Sequence, residues 1–290
     1  MMNKIVKRGL IVWLMVLGGV TVRAQKSTET IQKTMPKAQV FLIDNINGAV
    51  VVKGSKRSDI DFKATKTITG HTQSKVNKGK SEVDLVFFRE NDTLVAHVKA
   101  PHLTYGRNRN KQRGFGYQWD DWNKERDYHF KFDLEVEVPE NTHLIIRTIN
   151  RGDIRVANTK ANLQVTNVNG SAYLENIAGT TKARIINGQL KASYIKAPTQ
   201  NSSYYALNGN IQVNYPRDLS ADLYFKSFNG DFYTDYDVKQ LPTKIISNRA
   251  SEGKIKIYKV DEFTSVRVKK GGKRLKFETL NGNIYVNRNK

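Results

Sequence analysis

One short unit recurs along this chain: an apolar residue, Asn, Gly, any residue, then an apolar-any-apolar stretch. It reads Ile46-Asn47-Gly48-Ala49-Val50-Val51-Val52 near the N-terminus. It returns at Val168-Asn169-Gly170, Ile186-Asn187-Gly188, Leu207-Asn208-Gly209, Phe228-Asn229-Gly230 and Leu280-Asn281-Gly282. Ile149-Asn150-Arg151-Gly152 is the same unit with one residue inserted. The glycines at 152, 170, 188, 209 and 230 are 18, 18, 21 and 21 residues apart, a period that belongs to solenoids and stacked arrays. Between the units lie alternating runs such as Ala161 to Val165 and Thr181 to Ile185, so the periodicity is that of strands.

Two architectures compete for this pattern. Asn-Gly between apolar residues is a strong hairpin signal, and an antiparallel meander would use one at every second turn. In a solenoid, each Asn instead occupies the same corner of successive coils, about 4.8 Å from the next. Side-chain amides so stacked can donate and accept along the column. That accounts for Asn at all seven units, where a hairpin series would accept Asp-Gly or Gly-Gly as readily. The reading favours a solenoid, with Asn47, Gly48, Asn150, Gly152, Asn169, Gly170, Asn187, Gly188, Asn208, Gly209, Asn229, Gly230, Asn281 and Gly282 as structural corners.

The rest of the chain sets the context. Lys4, Lys7 and Arg8 precede an apolar run from Gly9 to Val22, and Val22-Arg23-Ala24 offers a cleavage site before Gln25; residues 1–24 read as a signal peptide. Those 14 apolar residues fall short of the roughly 20 that span a bilayer, so no transmembrane segment is expected in the mature chain. The expected location is the periplasm, the outer surface or the medium. With 0 Cys the chain has no lipidated N-terminal cysteine, no disulfide and no thiolate metal site.

The formal charge of +21 includes four cations before residue 25, leaving +17 after cleavage. Such a field draws anionic partners. For an exported chain these are acidic polysaccharide, an anionic lipid surface or an envelope protein, and nucleic acid is not expected.

Residues 25–37 read as an extended lead-in. Residues 38–140 read as an irregular N-terminal β portion, with a Gly-, Lys-, Ser- and Asn-rich loop at 69–81 and a long inserted loop at 102–127. Residues 141–290 carry the repeat. The expected fold is all-β, a β-solenoid with that irregular N-terminal portion and inserted loop.

At this point the pattern resembles a secreted, adhesin-like bacterial family of β-strand repeats, a domain of unknown function. The resemblance rests on the strand Leu134 to Pro139, the Ile149-Asn150 start, the serial Asn-Gly units and the closing stretch from Gly271-Gly272 to Asn281-Gly282-Asn283-Ile284. It covers roughly residues 38–288 and implies a right-handed β-helix-like domain with an adhesive or envelope role. The aromatic and basic insertion and the extra Arg151 depart from the pattern.

Two candidate ligand surfaces follow. Alternation turns Arg155, Tyr173, Lys191, Gln212, Tyr233 and Tyr285 outward at equivalent positions, a column of rings and cations suited to sugars or acidic chains. Tyr is equally a favoured strand residue anywhere. The inserted loop offers Arg107, Arg109, Lys111, Arg113, Trp119 and Trp122, with Phe115 and Tyr117 between them.

No catalytic, metal or cofactor constellation is read. His71, His97, His102, His129 and His143 are dispersed and expected at the surface. Asp231, Asp235 and Asp237 lack the glycine-rich calcium nonapeptide and are expected beside a turn. Arg151-Gly152-Asp153 spells an integrin tripeptide, but the repeat already demands its Gly and Asp. The expected function is non-enzymatic binding of an anionic or glycan component of the envelope or surface. A structural or signalling envelope protein with a protein partner is the alternative, and a polysaccharide lyase the outsider.

Overall fold

The computed structural model describes residues 24–107, 114–119, 127–242, 245–252, 255–260 and 263–289; the segment read as a signal peptide lies outside them. The chain begins with β1 (Gln25–Pro36), β2 (Val40–Asp44), β3 (Val50–Ser55) and β4 (Asp59–Gly70). Helix α1 (Gln73–Glu82), β5 (Asp84–Glu90), β6 (Thr93–Lys99), β7 (Leu103–Arg107), β8 (Phe115–Trp119) and β9 (Tyr128–Pro139) follow.

The repeat region then runs β10 (His143–Thr148), β11 (Ile154–Ala157), β12 (Leu163–Asn169), β13 (Ala172–Ile177), β14 (Thr181–Asn187), β15 (Leu190–Tyr194), β16 (Ser202–Asn208), β17 (Ile211–Tyr215), β18 (Ala221–Asn229) and β19 (Phe232–Thr234). It ends with β20 (Val238–Gln240), β21 (Ile245–Glu252), β22 (Ile255–Val260), β23 (Thr264–Val268), β24 (Lys273–Asn281) and β25 (Ile284–Arg288).

Two long sheets face each other. Sheet A has the order β1-β4-β9-β3-β11-β13-β15-β17-β25-β19, and sheet B the order β20-β23-β18-β24-β16-β14-β12-β10-β2-β6-β5. Every coil sends one strand through sheet B, turns the Asn-Gly corner, and sends the next through sheet A. From β6 to β18 and from β9 to β19 all neighbours are parallel, so the backbone winds and does not meander. Antiparallel strands β4 and β1 close one end of sheet A. In sheet B, β5 closes one end and β23 with β20 the other.

Several sequence expectations are corrected here. Residue 140 is no break in the sheets, because β2 and β3 pair in parallel with β10 and β11 and Ile46-Asn47-Gly48 is a corner of the same solenoid. The lead-in is the edge strand β1, paired with β4 along its whole length. The stretch 69–81 is largely helix α1, whose Thr72 side chain accepts from the Lys75 amide as an N-cap.

Coil order also departs from chain order. β24 and β25 lie between β16–β17 and β18–β19, so Asn229 stacks on Asn281, and Asn281 on Asn208. The 52 residues from Gly230 to Gly282, read as room for two or three further coils, hold one coil, the β21–β22 hairpin and part of the antiparallel cap.

The corner is held by an amide column. Asn169 Nδ2 donates to Asn150 Oδ1 at 2.7 Å, Asn187 to Asn169 at 2.9 Å and Asn208 to Asn187 at 2.8 Å. Asn281 donates to Asn208 and Asn229 to Asn281, both at 2.7 Å. A second ladder, not anticipated, runs through the residue after each glycine. Ser171 N donates to Asp153 Oδ1, Gln189 N to Ser171 Oγ, Asn283 N to Asn210 Oδ1 and Asp231 N to Asn283 Oδ1. Coils approach so closely at the corner that a Cβ on Gly152 would stand 2.2 Å from the Gly48 carbonyl carbon. That contact accounts for the Gly of Arg151-Gly152-Asp153, with Arg151 taking up the extra residue at φ 61°.

Inward residues such as Leu163, Val165, Leu174, Ile185, Leu190 and Val213 form one continuous apolar core. Each buried side chain of this kind contributes about 1.5–3 kcal/mol. Toward the C-terminal end the core becomes aromatic. The Tyr194 hydroxyl donates to Thr181 Oγ1 at 2.6 Å and is hydrogen-bonded to Tyr204, which meets Tyr215 at 2.9 Å. Burial pushes all three phenols up, and each finds a partner, as most buried hydroxyls do.

Candidate functional site

The outward column on sheet A forms as one file of adjacent rungs. Arg155 pairs with Tyr173, Tyr173 with Lys191, Lys191 with Gln212, Gln212 with Tyr285 and Tyr285 with Tyr233. Its members partly satisfy one another: the Arg155 guanidinium lies 4.3 Å from the Tyr173 ring centroid, and Tyr233 stacks on Tyr285 at 5.0 Å. Beside the middle of the file is a shallow depression of about 280 Å³ whose lining includes Tyr173, Glu175, Asn176, Lys191, Gln212 and Asn214. Asn214 Oδ1 is buried there with no hydrogen-bond partner, and Lys191 makes no ion pair among the described residues.

The inserted segment is not merely a loop. β7 and β8 form an antiparallel hairpin that lies over the outer face of sheet B. The Tyr117 hydroxyl donates to the Asp44 carbonyl at 2.8 Å and accepts from the Val98 amide at 2.7 Å. Arg147 Nη1 donates to the Phe115 carbonyl at 2.6 Å and to Asp44 Oδ2 at 3.1 Å. One guanidinium thus ties hairpin to sheet. Between them opens a cleft of about 700 Å³. Of the loop residues singled out from sequence, Arg107 pairs with Glu90 at 2.8 Å and Trp119 packs against the core. Arg109, Lys111, Arg113 and Trp122 lie outside the described residues.

His97 is corrected from surface to interior: it is buried, stacked on Tyr105 at 3.9 Å, with Nδ1 3.1 Å from the Val98 carbonyl. Asp231, Asp235 and Asp237 are exposed as expected. Sequence reasoning missed Asp44, Arg147 and Tyr105, and placed Tyr117 on an exposed loop surface where it is the bond between hairpin and sheet. The signal was available in Phe115-Gly116-Tyr117-Gln118-Trp119, whose rings alternate as a strand requires.

Burial pushes the Asp44 carboxyl up to about 6, and the charge of Arg147 only partly opposes it. Burial and then the Asp44 charge push up Tyr105 and Tyr117, while burial lowers His97. A carboxyl whose pKa is raised on folding contributes stability that is present at low pH and lost as pH rises through the folded value. His97 acts oppositely, so the parent must be compared with Asp44→Asn. Between pH 7.5 and pH 4.5 the parent should gain about 2 kcal/mol on that variant in urea unfolding. A gap that does not move with pH would show that Asp44 is ionised throughout.

The geometry defines a two-sheet parallel β-solenoid with an aromatic hairpin laid on one face. Residues 144–287 match the family model for Toastrack DUF4097, a domain of unknown function of the kind that the Asn-Gly repeats led one to expect. No curated protein matches the sequence. Among solved structures the chain is similar to a candidate cell adhesion protein of Clostridium sporogenes, at 9% identity and TM-score 0.40, covering 92% of this chain and 100% of that one. It is similar also to a candidate adhesin of Bacteroides fragilis, at 9% identity and TM-score 0.36, covering 91% and 97%. A third is a candidate lipid-binding protein of Parabacteroides distasonis, at 9% identity and TM-score 0.24, covering 91% and 97%.

Proposed function

We propose that this is an exported, adhesin-like, non-enzymatic protein that holds an acidic glycan of the envelope or cell surface on the outer face of sheet A. The observation that carries the reading is the depression around Lys191. Amides, a phenol, the Glu175 carboxylate and the Lys191 ammonium converge there at rung spacing, giving donors and acceptors for sugar hydroxyls and one cation for a sugar carboxylate. The Lys191 ammonium has no carboxylate partner of its own among the described residues. The positive charge of the whole chain speeds the encounter with a polyanion.

Polyuronate retention on an affinity column tests this. The parent should bind at low salt and be released as ionic strength rises, and Lys191→Ala with Gln212→Ala should weaken binding at least tenfold. Retention unchanged in the double variant, or a polyuronate that never binds while an envelope protein co-purifies, would overturn it.

A further inference from the structure

The outer face of sheet B changes character where the hairpin covers it. Reading one outward column across the rungs gives Val95, Leu42 and Ile145, then Gln164, Lys182, Ser203 and Lys276. The first three are aliphatic and the last four are polar. Val95 and Leu42 are buried, but Ile145 and, two residues before Leu42, Val40 are only half-buried. Val40, Leu42 and Ile145 floor the 700 Å³ cleft, with Phe115 and Tyr117 of the hairpin as its wall and Gln164 and Thr166 at its open side. The volume lies within the roughly 300–1,000 Å³ of small-molecule sites.

Charge lies just outside. The rung beyond Gln164 and Thr166 carries Lys182 and Arg184, about 4.8 Å away. Neither makes an ion pair among the described residues; Arg184 only covers the Tyr205 ring, at 4.1 Å. Inside, Arg147 uses Nη1 for both of its contacts and, among the described residues, makes no hydrogen bond from Nη2 or Nε. An apolar floor, an aromatic wall and cations at the mouth together ask for a ligand that is apolar at one end and anionic at the other.

We infer that the cleft between the β7–β8 hairpin and sheet B binds one single-chain anionic amphiphile, its acyl part over Val40, Leu42 and Ile145 and its headgroup toward Lys182 and Arg184. The site is on the opposite sheet from the glycan face and does not depend on it. Removing the acyl methylenes from water is favourable in proportion to the apolar area buried, so the chain supplies most of the affinity and the cations select the headgroup.

Dodecyl phosphate, kept below its micelle concentration, is the probe, with inorganic phosphate and dodecyl maltoside as its separated halves. Trp119 and Trp122 are the only tryptophans after residue 24, and Trp119 ends β8, so intrinsic fluorescence reports on the hairpin; calorimetry gives the stoichiometry. The chain from Gln25 onward, which holds every described element, should bind one dodecyl phosphate, bind the maltoside at least tenfold more weakly, and ignore inorganic phosphate. Ile145→Asp should weaken dodecyl phosphate at least tenfold. Lys182→Glu with Arg184→Glu, both on the surface, should do the same while leaving the maltoside unchanged. Lys191→Ala should change nothing, which separates this site from the glycan face. Equal binding of inorganic phosphate, parent-like affinity in Ile145→Asp, or association only with vesicles of acidic phospholipid would each overturn the inference.

Discussion

Ending the chain after Gly272 should unfold the C-terminal half of the solenoid. β24 and β25 are last in sequence but, in the parallel stack, lie between β16–β17 and β18–β19 and supply the strand pairing that joins them. Without them β19 has no sheet partner, and β18 keeps only the antiparallel β23. The truncation also removes Leu275, Phe277, Ile284 and Val286, all fully buried. At about 1.5–3 kcal/mol each they contribute roughly 6–12 kcal/mol, comparable to the 5–15 kcal/mol net stability of a whole domain. Removing a terminal coil of a solenoid stacked in chain order would only fray its end, since each repeat touches its neighbours alone. Limited proteolysis should therefore cut the truncated chain throughout 216–272 while the parent resists, and its far-UV circular dichroism melt should lose cooperativity. A truncated chain that melts like the parent would mean that β18–β19 closes directly onto β16–β17.

Corners were legible because they are local. One Asn-Gly per coil, flanked by alternating apolar residues, states both the period and the turn, and the amide column follows from stacking. Coil order was not legible, because Asn229 and Asn208 carry the same unit and nothing local says which of them Asn281 meets. Helix α1 was hidden for a different reason. Among its residues Val76 and Gly79 are buried, so there is no apolar stripe to read, and Gly79 suggests a loop until the Tyr128 ring is seen 2.7 Å from where its Cβ would be.

The outward file on sheet A was readable, since alternation decides which side chains face out. The cleft was not, since Ile145 and Leu42 look like ordinary strand residues until β7–β8 is placed above them. The unit's own first residue misleads in the same way. Val168, Ile186 and Leu207 are half-buried on the outer side, and Leu280 and Phe228 are 40% and 74% exposed, although an apolar residue in every copy reads as core.

Replacing Gly209 with alanine should cost more than removing any member of the amide column. Gly209 has φ +151°, and a Cβ there would stand 1.9 Å from the Gly188 carbonyl oxygen. That obstacle is backbone, already fixed by neighbouring rungs, so no side chain can turn aside. On the other side the Gly209 amide donates to the Asn281 carbonyl at 2.8 Å, and the Thr279 hydroxyl donates to the Gly209 carbonyl at 3.1 Å. Relieving the clash means parting two rungs and losing one or two of these bonds, at about 0.5–1.5 kcal/mol each, on top of about 1–3 kcal/mol for the backbone conformation. The sum is about 1.5–6 kcal/mol, and its midpoint near 4 kcal/mol corresponds to a fall in Tm of roughly 12 °C at about 3 °C per kcal/mol. Asn208→Ala loses two exposed amide bonds, worth about 1–2 kcal/mol, and should shift Tm by only about 5 °C. The ranking tests what holds the corner. If Asn208→Ala proves the more damaging, the amide column and not the backbone contact sets the spacing of the coils, and glycine follows each asparagine for some other reason.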